Sequence, residues 1–473
     1  MDKTKFRLEH DSIGEMEVPK DAYYGVHALR GKNNFPITGA HMDSYMIRGA
    51  AEVKKAAALT NAAVGRMDEK IAKAIAEAAD KVITGDYDDQ FIVDPVQGGA
   101  GTSFNMNTNE VIANLAIEIL GGEKGDYSLV HPNDHVNFGQ STNDSLPSAG
   151  KIAILRHLID VEEEGRKLVD ALDKKSKEFD SYIKMGRTHL QDAVPIRLGQ
   201  EFAAYRDAVK RNVDLIESAI AAMSVMNMGA TAVGTGLNAD QNYVKQVVPK
   251  LAEVTGLDLV QTDNLVDGTQ GTDSYVYVSG ILKALAMALS KMCNDLRLMA
   301  SGPRTGLGEI NLPAKQAGSS IMPGKVNPVI AEVTNQTAFL VAGNDLTITM
   351  AMEAAQFELN VMEPVLFYKM FESLKALRGA MYTLRVNLVE GLEANVERME
   401  HLVENSVGVI TAIVPHVGYE NAANIAKKAI KTGRPVRELA LESGLLSEED
   451  LNKILDPMGM TEPGISAAEL LNK

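Results

Sequence analysis

Residues 278–299 read VSGILKALAMALSKMCNDLRLM, and Val278, Ile281, Leu282, Leu285, Leu289, Met292, Leu296 and Met299 recur at steps of three and four. That spacing returns apolar side chains to one face of a helix. At roughly 1.5 Å per residue the helix exceeds about 30 Å, too long for a peripheral element of a small fold. Two further segments follow the same pattern. Ile152, Leu155, Leu158 and Ile159 open a helix predicted to start near Pro147 and reach about Phe179. A third is expected from Pro328 to about Met362, where Pro364 kinks or ends it. Ala, Leu, Met and Val dominate these stretches and no strand alternation competes. The fold class is therefore mainly α, with a central bundle of long helices. The apolar stripes are wider than one side of a monomeric bundle needs. Either the monomer core is thick, or the bundle also packs against other subunits.

Outward from the bundle the pattern changes. FRLEHDSIGEMEV (6–18) alternates imperfectly around an Asp-Ser-Ile-Gly turn, which predicts a short hairpin. Helical spacing resumes over 45–81. From Gly391 the sequence GLEANVERMEHLVENS turns strongly polar and marks a boundary, followed by short helices. Ser447 and Asp450 form the pattern of a capping box, with Leu446 and Leu451 in staple positions. Three domains are expected: a mostly helical one over 1–140, the long-helix bundle over 141–395 and a small helical one over 396–473.

Composition narrows the function. The chain has 473 residues, 45% of them hydrophobic, and a formal charge of −16. That charge argues against nucleic acid or an anionic membrane as partner. The single cysteine, Cys293, excludes an intrachain disulfide framework and Cys-rich metal sites, and reads as a buried structural thiol. The N-terminal MDKTKFRLEH lacks the apolar core of a signal peptide, and the apolar run at 275–290 is broken by Lys283. A cytoplasmic protein without a membrane span is expected. His10, His41, His157 and His401 have no supporting context and are expected at the surface.

HExxH, CxxC, GxSxG and a dinucleotide fingerprint are all missing from the sequence. GSSIMPGKV fails as a phosphate loop, since Val326 stands where Ser or Thr is required. What remains is four segments rich in Gly, hydroxyl and amide residues, each ahead of a helical pattern. They are GGAGTSFNMNTNE (98–110), HPNDHVNFGQSTND (131–144), GRTHLQDAVP (186–195) and GSSIMPGKVNP (318–328). Singly, such residues are ordinary helix caps and turns, and a lone His189 is more often structural than catalytic. Together they describe a donor-rich pocket for an anion, using the free N–H groups of helix N-termini. Local donors would then overcome the global negative charge.

GSSIMPGKVNP resembles the signature loop of the aspartase/fumarase superfamily of lyases, and STND (141–144) and GRTHLQDAVP resemble its other two active-site regions. The similarity runs essentially end to end. AKQAGSSIMPGKVNPVIAEVTNQ (314–336), AGNDLTIT (342–349) and QFELNVMEPV (356–365) are similar to the aspartase form, whereas HPNDHVN and the LPSAG after STND depart from it.

The resemblance implies reversible deamination of L-aspartate to fumarate through an enediolate at the β-carboxylate. It places Thr102, Ser141, Thr142 and Ser320 around that carboxylate, and Lys325 and Asn327 on the α-carboxylate. Asn143, Thr188 and His189 are implied to position the amino group and neighbouring oxygens. Ser319 is the implied base. His189 competes on intrinsic pKa, but Ser319 sits on a glycine-flanked loop able to close over substrate. No organic cofactor and no metal-ligand cluster is called for. The family arrangement is a homotetramer whose active sites each draw on three chains. Two other readings stand beside this one: a fumarate hydratase on the same scaffold, and a non-catalytic helical scaffold.

Overall fold

The structure, a computed structural model, describes residues 5–472. Strands Phe6–Asp11 and Gly14–Pro19 pair antiparallel as expected, with Asp11 opposite Gly14. Asp11 makes the turn itself: its Oδ1 accepts from the N–H groups of Ile13 (2.9 Å) and Gly14 (3.1 Å).

Beyond the hairpin the chain is mostly helical, which is the predicted fold class. The four longest helices are Thr142–Glu178, Asp273–Met299, Val329–Glu353 and Glu363–Asn387. All eight stripe residues from Val278 to Met299 are buried. By length and composition Asp273–Met299 could cross a membrane. Its apolar face is instead core, and Ser279 Oγ and Lys283 Nζ both donate to Asp345 on a neighbouring helix (2.8 and 2.5 Å).

Two compact units can be distinguished. The first comprises the chain up to Glu163 with Asp214–Ala286 and Phe339–Arg378; the second comprises Glu164–Val213, Met287–Ala338 and the chain from Gly379 on. In the first, the Ala-rich helices Ser44–Ala63 and Glu69–Ile83 bury small side chains, and Tyr275 meets Phe367 edge-to-face at 5.4 Å. In the second, Phe179 meets Phe202 edge-to-face at 5.2 Å. Its Asn335 Nδ2 ties the bundle by donating to Ser290 and Asn294. A satellite core of Ile413, Ile425, Leu439, Leu451 and Ile454 holds the short C-terminal helices together. There Ser447 Oγ accepts from the Asp450 N–H and donates to Asp450 Oδ2 (2.7 Å), and Leu446 packs against the cluster containing Leu451, so Ser447 caps the helix as expected. Cys293 is buried.

Three expectations are corrected. The helix expected over 328–362 stops at Glu353, and Pro364 does not end it. Asn360 makes the break, its Nδ2 donating to Thr272 Oγ1 and Ala351 O and its Oδ1 accepting from the Met362 N–H. Pro364 then occupies the first turn of the next helix, where its missing N–H costs nothing. Residues 183–197 form a second hairpin, Ile183–Thr188 with Gln191–Arg197, where no strand signal was read. A register shift between Met185 and Arg187 breaks the alternation that would have shown it. His157 is buried rather than at the surface, 3.0 Å from Asp43 Oδ1.

Candidate active site

Two of the four segments meet in the first unit. Helix Thr102–Ile119 starts after Gly101, whose φ of 83° is left-handed and whose Cα faces Leu146, so that a Cβ would lie 2.6 Å from Leu146 Cδ2. Thr102 stands at the helix start, exposed, its Oγ1 donating to Gly99 O at 2.7 Å. Helix Thr142–Glu178 opens with a capping box: Ser141 Oγ accepts from the Asn143 N–H and Asp144 Oδ1 accepts from the Ser141 N–H. The other Asp144 oxygen accepts from the N–H groups of Gly229 and Thr231. Burial pushes the Asp144 carboxyl up to about 6 despite these bonds. Asn143 Nδ2 donates to Ala232 O (2.8 Å). The link between the two segments is Asn105, whose Nδ2 donates to Thr142 Oγ1 at 3.2 Å while its Oδ1 accepts from Ser145 Oγ at 3.2 Å.

Behind Asn105 lies Lys54, which the sequence reading missed. Its Nζ donates to Asn105 Oδ1 (2.7 Å), Asn137 Oδ1 (2.9 Å) and Gln140 Oε1 (3.0 Å). Burial pulls the Lys54 ammonium down to about 7 against the opposing charge of Asp144. Three oxygen acceptors nevertheless require three N–H groups, which only the protonated form carries. The signal was faint but present: a lysine pair, Lys54-Lys55, within the alanine-rich run of 50–58, and four asparagines on a helix whose residues 104–117 are all buried.

The other two segments lie in the second unit. Thr188 and His189 sit at the tip of the second hairpin, where His189 (φ 54°) and Leu190 (φ 60°) form a two-residue turn. Left-handed backbone at a leucine is strained, and strain of this kind concentrates at functional sites. The root of the hairpin is firm: Arg187 Nη1 donates to both oxygens of the fully buried Glu309 (2.9 and 3.1 Å), and Lys184 Nζ lies 3.4 Å from the same carboxylate.

From Glu309 the chain leads into the Gly318–Pro328 loop. Gly318 N donates to Lys325 O (3.0 Å), and Asn327 Nδ2 donates back to Gly318 O (2.5 Å), closing the loop on itself. A Cβ on Gly318 would lie 2.1 Å from Lys325 O, so only glycine closes this ring. Inside it, Ser319 Oγ accepts from the backbone N–H groups of Ile321 (3.2 Å) and Met322 (3.1 Å). Two donors aimed at one hydroxyl oxygen are what an alkoxide at that position would need. Ser320 and Lys325 are exposed, and Ile321 is 83% exposed. Helix Val329–Glu353 starts two residues after Asn327, one residue later than expected.

With this geometry the matches to known proteins are specific. Residues 14–343 match the lyase family, and residues 409–462 match a family described as the fumarase C C-terminus. The chain belongs to the aspartase/fumarase superfamily of lyases. An aspartate ammonia-lyase of Bacillus subtilis (strain 168) is 55% identical over 469 residues, 99% of each chain. A fumarate lyase:delta crystallin structure from Brucella melitensis superposes with a TM-score of 0.94 at 47% identity, over 97% of this chain and 100% of the other. A class II fumarase from Schistosoma mansoni gives 0.93 at 34% identity over the same shares. The two structures thus superpose almost equally well, at 0.94 and 0.93, while their identity to this chain differs.

Proposed function

We infer that the protein catalyses the reversible deamination of L-aspartate to fumarate and ammonia. The observation that carries the reading is the full-length 55% identity to an aspartate ammonia-lyase, against 34% to a fumarase with the same backbone. The elimination removes a weakly acidic proton from the carbon beside the β-carboxylate, so the barrier is the dianionic enediolate formed there. Thr102, Ser141, Thr142 and Ser320 supply hydroxyl and N–H donors to that carboxylate, and Lys325 and Asn327 hold the α-carboxylate. Asn143, Thr188 and His189 orient the amine.

Ser319 takes the proton. A serine hydroxyl is a poor base unless its alkoxide is stabilised. The N–H groups of Ile321 and Met322 supply that stabilisation, aided by the positive charge of Lys325 on the same loop. His189 has no carboxylate partner among the described residues to orient its ring as a base, which favours the amine-positioning role.

Four copies pool their long helices, and each site draws its segments from three chains. Helix Val329–Glu353 supports this assembly, since Phe339, Leu340, Leu346 and Met350 are exposed on it. Gly343 lies among them, and a methyl group added there would meet nothing of this chain within 4 Å, room that a second helix can use. A cytoplasmic location and the three-domain division at 140 and 395 belong to the same reading.

The deciding experiment follows fumarate by ultraviolet absorbance from L-aspartate and, separately, from L-malate, with Ser319→Ala alongside. Aspartate turnover, lost by at least about 10²-fold in the variant, is expected. Turnover of malate alone would make the protein a hydratase. Silence on both substrates would leave a helical scaffold.

A further inference from the structure

The reaction described above makes no use of the polar cluster behind Thr142. It is nonetheless built with care. Lys54 is buried in the middle of helix Ser44–Ala63, 1% exposed, and all its partners are side-chain amide oxygens. An ammonium only donates, so it fixes which way each amide faces. Asn105, Asn137 and Gln140 must turn their oxygens to Lys54, and Asn105 must then turn its NH2 the other way, onto Thr142 Oγ1 and Asn137 Oδ1. Thr142 Oγ1 thereby accepts a hydrogen bond from the Asn105 amide. Its own hydrogen has no acceptor within the chain among the described residues, and the half-buried hydroxyl is left to donate outward.

We propose that Lys54 is a positioning residue of the reaction, acting through the Asn105 amide to aim and polarise the Thr142 hydroxyl toward the substrate's β-carboxylate. The inference rests on the placement of Thr142 at that carboxylate. A chain of three hydrogen bonds, ammonium to amide to hydroxyl to carboxylate, runs in one donor direction, and each bond strengthens the next. The charge it answers grows in the transition state, when the carboxylate becomes an enediolate. The effect therefore falls on kcat more than on KM.

A double-mutant cycle on the assembled enzyme tests this, with L-aspartate as substrate. Lys54→Met is expected to lower kcat about 10- to 100-fold, the range for a hydrogen bond assisted by charge, with KM changed less than about threefold. Thr142→Val is expected to lower kcat about 10²–10³-fold. The double variant is expected to be no slower than Thr142→Val alone, because the proposed effect of Lys54 passes through the Thr142 hydroxyl. Losses that multiply, a Lys54→Met enzyme with unchanged kcat, or a loss confined to KM would each overturn the proposal. Circular dichroism and sedimentation establish whether Lys54→Met folds and assembles; if it does not, Lys54→Gln, which keeps an N–H for Asn105 without the charge, replaces it in the cycle. Failure of both to fold would make Lys54 a residue of the fold and overturn the proposal. Wild-type kcat in Thr142→Val would remove the premise instead, and is recognised because it needs no change at Lys54.

Discussion

At the residue scale, the Gly318–Pro328 loop shows how much chemistry a few backbone groups can arrange. Ser319 owes its two N–H donors to a ring closed by Gly318 and Asn327, and the ring tolerates no side chain at Gly318. Gly318→Ala places a methyl 2.1 Å from Lys325 O and must open the ring. Because displacement by about 1 Å costs roughly 10²-fold in a positioned site, Gly318→Ala is expected to lose at least that in kcat/KM for aspartate. Its thermal unfolding midpoint should stay within about a degree of the parent's, since the loop is exposed. A variant that is active but less stable would mean that the ring serves the fold. Ser319 and Lys325 were legible in the sequence because the whole motif lies within eleven residues. The N–H groups serving Ser319 were not, since a loop's internal hydrogen bonds leave no periodic trace.

Elements are held by a small number of buried charges, and the N-terminal hairpin offers the cleanest case. Burial alone would raise the pKa of Asp11, but the Arg30 hydrogen bond and the N–H groups of Ile13 and Gly14 outweigh it and hold the carboxyl at about 2. An unfolded aspartate titrates near 3.9, so the folded form is favoured by about 2 kcal/mol above that pH. The sign follows from the depressed pKa: the contribution is complete above about pH 4 and disappears as pH falls toward about 2. Asp11→Asn is expected to lower the urea midpoint at pH 7 and to converge on the parent as pH drops through that window. A gap that stays constant from pH 7 to pH 2 would show that the Asp11 charge is not what holds the turn. The second hairpin is harder to read. Its strands carry Lys184 and Arg187 inward to Glu309, more than a hundred residues away, and a bulge breaks the alternation.

For the whole molecule, the long helices raise the question of what covers their outer faces. Phe339 and Leu346 are 66% and 62% exposed on the same side of helix Val329–Glu353. Large apolar side chains repeated on one helix face mark a surface built for another protein surface. Leu346→Lys would bury a charge in the proposed interface. It is expected to give a smaller species in sedimentation velocity and to lose nearly all aspartate turnover, while the helical circular dichroism is kept. An assembled and active Leu346→Lys enzyme would take this face out of the interface.

The sequence by itself determined the long helices, some of their ends and the segments proposed to carry the chemistry. Those features arise from neighbours along the chain: the three-and-four spacing of Val278–Met299, the capping pattern at Ser447 and the glycines around Ser319. Only the tertiary structure decided what those segments meet. His157 looked like a surface residue until Asp43, over a hundred positions earlier, was found beside it. Lys54 looked like one more charge in a helix until Asn105, Asn137 and Gln140 were seen to close around it. The physical reason is the same in both cases. A buried polar group is stable only with partners, and the fold, rather than the local sequence, brings those partners to it.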